Sequence, residues 1–374
     1  MFQRVAPVLA ITAIFLTAAD GPKSQDLTIH EWGTFTSVAG ADGSAIPWNS
    51  LACPDDLPRF VNSFGIGFKA TWFGTVRMET PVMYFYSPRE LTARVAVQFP
   101  HGFITEWYPK AEVSVEQDGA RLPPNLSGID LSMRKSAGVI EWRDIKVQPG
   151  AMPKYPVEDK ASRYYPARET DATPISVDGQ AEKFLFYRGV GRLQVPLSAR
   201  VLNDGKTLIE SQEALPGVIL FENRGGKLGY RKVTGETAID PPVLDSTFPR
   251  LQKDLETMLV EQGLFAKEAH AMVETWRTSW FEEGSRLLYI VPPSATGAML
   301  PVQIEPAPQK IVRVFVGRIE LITPATTNAV KQAIGARDAA TLNLYGRFID
   351  PILSRIGGPR PNLGQVPGFA RCQN

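Results

Sequence analysis

Between Leu27 and Lys232 the chain is cut into short apolar runs by closely spaced turn residues, and this punctuation limits the possible folds more than any other feature. Residues 82–86 (VMYFY), 94–99 (RVAVQF), 112–115 (EVSV), 138–142 (GVIEW) and 199–202 (ARVL) are rich in β-branched or aromatic side chains, as half-buried strands require. Asp118-Gly119, Asp178-Gly179 and Asn203-Asp-Gly205 are hairpin-type turns, because glycine tolerates positive φ. Asn223-Arg-Gly-Gly226 joins two further runs in the same way. Many short strands at this spacing give a mainly β chain built as an antiparallel β-sandwich over residues 26–240. Residues 147–175, dense in Pro, Tyr and charge, read as a long excursion over its surface.

The period changes near Asp245. Leu251, Leu255, Met258 and Leu259 recur at helical spacing and Gly263 stops the run. A second helix spans about 266–283, with Ala269, Val273, Trp276 and Trp280 on one stripe, and Gly284 ends it. Residues 241–284 are thus an inserted helical hairpin whose aromatic stripe packs on the sandwich. Strand-like runs return at 286–291 and 311–322. Thr323-Pro324 starts a helix, with Thr as N-cap and Pro in the first turn. A last helix covers about 338–355, with Pro351 as a point of kinking. Residues 285–356 form a small C-terminal α/β portion, and 357–374 a coil tail.

The first residues carry Arg4, an uncharged apolar run from Val5 to Ala18, and small residues before Asp20. That order describes a secretory signal peptide over residues 1–19. A membrane anchor is the alternative, but the run falls short of the ~18 residues a spanning helix needs, and Pro7 interrupts it. A secreted or periplasmic protein follows, with no stable membrane insertion after cleavage. The sequence has 40 basic and 39 acidic residues. Losing Arg4 with the leader makes the chain neutral, and without a Lys/Arg run it offers no footprint for nucleic acid. Cys53 and Cys372 are either a disulfide, as an oxidising compartment invites, or two unpaired thiols, since Cys372 falls near the C-terminus, where fraying is usual.

Four runs, "IHEWGTFTSVAGADG", "VRMETPVMYFYSP", "FITEWYPKA" and "KEAHAMVETWRTSWFEEG", resemble those of an uncharacterised family of secreted bacterial proteins. The likeness spans most of the chain beyond the leader and implies export, with no known activity.

The stretch 28–38, TIHEWGTFTSV, frames the site question. Taken as a strand, period two sets Glu31 on one face with Leu27, Ile29 and Phe35, and His30 with Trp32 on the other, more polar face. His30 and Glu31 are then sequence neighbours but not partners, with His30 looking outward. An inward carboxylate must be paired, protonated or metal-bound. Arg77 and Arg143 are candidate partners for Glu31. Glu79 and Glu106 stand in similar apolar settings. Two such acids across a groove could hydrolyse a glycosidic bond, the separation deciding between nucleophile-plus-acid and water-holding geometry. Trp32, Trp107 and Tyr108 would suit stacking on sugar rings, with Arg77 joining them on a ligand.

Other chemistries find less support. His30, His101 and His270 are the only histidines, HExxH is absent, and no metal site is expected. Calcium on loop oxygens is open at Asp42, Asp55-Asp56 or Asp118, none with EF-hand spacing. GxSxG, GxGxxG and GxxxxGK[ST] are all missing. Two functions remain: an exported cell-envelope protein binding a polymer or a protein partner, or an extracellular carbohydrate-active hydrolase or lyase using Glu31 with Glu106 or Glu79.

Overall fold

A computed structural model describes residues 24–51, 57–63, 73–122 and 136–371. The leader, Asp55-Asp56 and both cysteines lie outside the described residues. The strands are β1 (Ser24–Val38), β2 (Asn62–Ser63), β3 (Val76–Tyr86), β4 (Leu91–Pro100), β5 (Gly102–Tyr108), β6 (Glu112–Gln117), β7 (Ala120–Leu122), β8 (Ser136–Val147), β9 (Ile175–Val177), β10 (Gln180–Glu182), β11 (Phe184–Gly191), β12 (Leu197–Val201), β13 (Thr207–Ser211), β14 (Val218–Arg224), β15 (Lys227–Val233), β16 (Ala238–Ile239), β17 (Gly284–Ile290), β18 (Val302–Glu305) and β19 (Pro308–Leu321). The helices are α1 (Phe248–Glu261), α2 (Ala266–Trp280), α3 (Pro293–Met299), α4 (Pro324–Ala336), α5 (Ala339–Leu344) and α6 (Ile349–Ile356).

The protein is mainly β, as the run-and-turn pattern predicts. Its main sheet has the order β15-β14-β17-β19-β1-β3-β11-β5-β2. A second sheet, β10-β9-β8-β4-β18 with β6 and β7 attached through β8, packs on one face of it. Leu27, Ile29, Phe35, Met83, Leu185 and Phe315 from the first sheet meet Val95, Val97, Ile140 and Trp142 from the second in one core. The hairpin α1–α2 covers the other face, where Leu251, Leu255, Leu259, Val273, Trp276 and Trp280 pack on Trp32, Val82, Phe186, Val314 and Val316. The aromatic stripe of α2 is therefore core.

One feature departs from a purely antiparallel sandwich. β1 pairs β19 in parallel, Glu31 opposite Arg313 and Thr36 opposite Arg318. Parallel pairs occur where both faces are covered, and this pair has the second sheet on one side and the hairpin on the other. The division at residue 285 consequently runs through a single sheet, since β17 pairs with β19 and β19 with β1.

The C-terminal helix expected over 338–355 is broken in two. A 3-10 turn, Gly346–Phe348, separates α5 from α6. Arg371 crosses there so closely that a Cβ on Gly346 would stand 1.9 Å from its carbonyl oxygen. Pro351 falls in the first turn of α6, where its missing N–H removes no intrahelical bond. The excursion at 147–175 is anchored at its centre. The Arg168 guanidinium lies 5.1–5.9 Å from the rings of Phe60, Tyr155, Tyr164 and Tyr165, and its Nη2 donates to Glu182 at 2.6 Å.

Candidate functional site

Glu31 occupies the inward face that alternation assigns to it, with no exposed surface. Its partner is neither Arg77 nor Arg143. Arg313, directly opposite on β19, donates from Nε to Oε2 at 2.5 Å, and the Tyr187 hydroxyl donates to Oε1. Burial beside the Glu31 charge pushes the Tyr187 hydroxyl's pKa far above the usual tyrosine range. Arg313 also donates to the Leu300 carbonyl at 2.8 Å. This buried carboxylate is thus held by one cation and one hydroxyl, facing the second sheet. Arg143 instead serves Glu141 and Glu112, and Arg77 donates to the Ser50 carbonyl at 2.9 Å.

His30 sits on the opposite face, as period two requires, but the expectation that this face looks outward is overturned. The hairpin lies over it, and His30 is only 1% exposed. Its Nδ1–H donates to Glu268 Oε2 at 2.7 Å. Glu268 also accepts from the Tyr86 hydroxyl at 2.7 Å and from the Phe265 amide at 2.8 Å. The amide bond is the N3 half of a capping box, so one carboxylate starts α2 and fastens it to β1 and β3. Trp32 is buried on the same face with Tyr84, in no position to stack on a sugar in an open groove. Trp107 is partly exposed and packs on the inter-sheet core, while Tyr108 packs against Phe60.

Glu79 and Glu106 share that helix-facing side. Glu79 lies opposite Thr34, pairs with Arg347 and has Arg77 Nε at 3.9 Å. Glu106 lies opposite Arg188 in the register and accepts from the Thr105 hydroxyl. Tyr187, the neighbour of Arg188, reaches Glu31, so the sheet itself stands between the Glu31 and Glu106 carboxyls. The hydrolase arrangement needs those two across a groove, and the strand register puts them on opposite faces.

Glu79 and Glu106 belong to a buried polar belt that the sequence reading did not identify. It crosses the helix-facing side through Arg286 on β17, Arg318 and Glu320 on β19, Thr34 and Thr36 on β1, Arg77 and Glu79 on β3, and Arg188 on β11. Arg286 Nε donates to Glu320 Oε2 at 3.0 Å, and burial lowers the pKa of its guanidinium despite that partner. Arg318 Nη2 donates to Glu320 at 3.0 Å and to Glu282 past the end of α2. From the C-terminal portion, Phe348 places its ring 4.9 Å from the Arg318 guanidinium and 5.3 Å from that of Arg347. Arg347 Nη1 donates to Ser279 at 2.9 Å. A signal was present in "VFVGRIEL": Arg318 and Glu320 occupy the same alternating face as Val314 and Val316.

Of the calcium candidates, Asp42 accepts from the Ser44 amide and hydroxyl, which hold its carboxyl below the usual range. Asp118 is, with Gly119, one of the two left-handed residues of the β6–β7 turn. Among the described residues no grouping of three or more His, Cys, Asp or Glu suits a metal ion. No helix among them is long and apolar enough to cross a membrane.

No protein-family model matches the chain, and no curated protein does. Among solved structures, the Fcho1 Mu homology domain of Danio rerio with bound Eps15 peptide is similar over 81% of this chain and 99% of that one. The identity is 7% and the TM-score 0.28, a likeness that carries no argument about function.

Proposed function

We propose that this chain is an exported cell-envelope protein that binds a polymer or a protein partner, and that its buried carboxylates serve the fold and the binding site rather than hydrolysis. One observation carries the choice between the two rival readings. Glu31 is locked to Arg313 and Tyr187 on the sheet-facing side, while Glu79 and Glu106 lie on the helix-facing side. A general acid and its partner must reach one scissile bond from two sides, and this register supports no such pair between Glu31 and either of the others. The apolar run after Arg4 and the small residues at 17–19 support export.

The test is a binding and turnover screen of purified residues 20–374 against cell-wall polysaccharides, peptidoglycan fragments and envelope proteins. Saturable binding without bond cleavage is the expected result. Cleavage of any polymer that is lost in Glu106→Gln or Glu79→Gln, with folding unchanged, would establish the hydrolase instead.

A further inference from the structure

We infer that the polar belt holds an anion site for a ligand bearing a carboxylate, phosphate or sulfate group, centred on Arg318 with Thr34 and Thr36. The inference rests on the reading of this chain as a binding protein and names the chemistry of its ligand.

Arg318, Thr34 and Thr36 have no exposed surface. Thr36 is the direct register partner of Arg318, and Thr34 lies two residues along the same face. Among the described residues, Arg318 Nε and Nη1 and the hydroxyls of Thr34 and Thr36 have no hydrogen-bond partner. The same holds for the indole nitrogens of Trp280, on the α2 side, and Trp48, beside Phe348. A buried polar group without a partner costs roughly 1–3 kcal/mol, more when charged, so the native protein must satisfy these.

What they have in common identifies the ligand. Guanidinium and indole N–H groups only donate, and each threonine hydroxyl is free to do so. Of the belt's acids, Glu320 takes Arg286 and Arg318, Glu282 takes Arg318, and Glu79 stands against Arg347, though Glu79 Oε1 makes no hydrogen bond among the described residues. A surplus of donors around a guanidinium calls for a group rich in acceptors and negatively charged. A neutral sugar hydroxyl or a water would bring its own protons into a site already crowded with them.

The test titrates the full chain by calorimetry with inorganic phosphate, sulfate and acetate in turn, at fixed ionic strength held by chloride. Thr36→Val keeps the volume and removes the hydroxyl; Thr34→Val does the same should the first fail to fold. Arg94→Gln reports on the arginines around Glu141 on the second sheet. Saturable binding of at least one anion is expected, weakened about tenfold by the threonine change and unmoved by Arg94→Gln. The anion that binds tells a phosphoryl, sulfuryl or carboxylate ligand apart. No saturable binding of any of the three, or binding that ignores the threonine change, overturns the inference. So does a threonine variant more stable than the parent, which would mean that buried water alone serves these groups. Polymer or protein binding measured in the separate screen would survive that failure, so the two readings fall independently.

Discussion

Arg313 stands directly opposite Glu31 on the neighbouring parallel strand, with its Nε 2.5 Å from Oε2, though 282 residues separate them in sequence. The pair joins the first described strand to the last. Neither partner can be removed without leaving the other short of a charge inside the core.

Breaking a buried ion pair by neutralising one side typically costs 3–5 kcal/mol. Glu31→Gln keeps the shape and some hydrogen bonding, so about 3 kcal/mol is expected. Denaturant unfolding of Glu31→Gln, Arg313→Met and the double variant checks it. The double variant should recover part of the loss, and strict additivity would dissolve the claimed pairing.

Glu268 is the fastening point of the hairpin. Glu268→Ala removes the His30 and Tyr86 contacts and the cap on the Phe265 amide together. A loss of about 3 kcal/mol is expected. Hydrogen exchange should show faster opening of α1 and α2 than of the second sheet. Uniform acceleration across the molecule would mean that the hairpin is not a separately fastened unit.

Gly317 is fixed by its neighbour. It lies opposite Tyr289, and an added Cβ would stand 2.1 Å from that ring. The tyrosine is 1% exposed, so its ring is enclosed by the core. Gly317→Ala should cost about 3 kcal/mol, whereas Gly297→Ala, with open space around it, should be neutral or slightly stabilising. Thermal unfolding of the two variants compares them directly.

Acid sensitivity is expected from Glu141. Its carboxyl is pulled down to about 2 by hydrogen bonds from Arg143 and Arg94, against the burial that would raise it. The folded value lies below the unfolded one, so the stabilisation is complete above about pH 4.5 and is lost as pH falls toward 2. Arg94 and Arg143 are 40% and 52% exposed, so solvent screening leaves about 1 kcal/mol. Stability curves of the parent and Glu141→Gln should converge at pH 2 and separate at pH 6. Curves that run parallel across that range would remove the ion-pair explanation.

The burial of Glu31 was legible because alternation is a local property of a strand, and Leu27, Ile29 and Phe35 define its apolar face. Its partner was not, because a parallel pairing brings residue 313 to residue 31 with no local mark of register. The error at His30 has the same origin. Its face looked polar beside the threonines, while the Ala269-to-Trp280 stripe looked apolar and in need of a partner. Only tertiary contact shows that these two surfaces cover each other, with Glu268 taking the imidazole. The hairpin itself was readable to within a few residues, since helical spacing and Gly263 are local signals. The break before α6 was not, because it is set by the return of Arg371 over Gly346.

These acids are proposed to hold the structure and a ligand without cleaving one. The most direct measurement follows polymer turnover and melting temperature together in the parent, Glu31→Gln and Glu106→Gln. No turnover is expected in any of the three, with Glu31→Gln melting about 4 °C lower. Turnover by the parent that disappears in Glu106→Gln at an unchanged melting temperature would contradict that expectation.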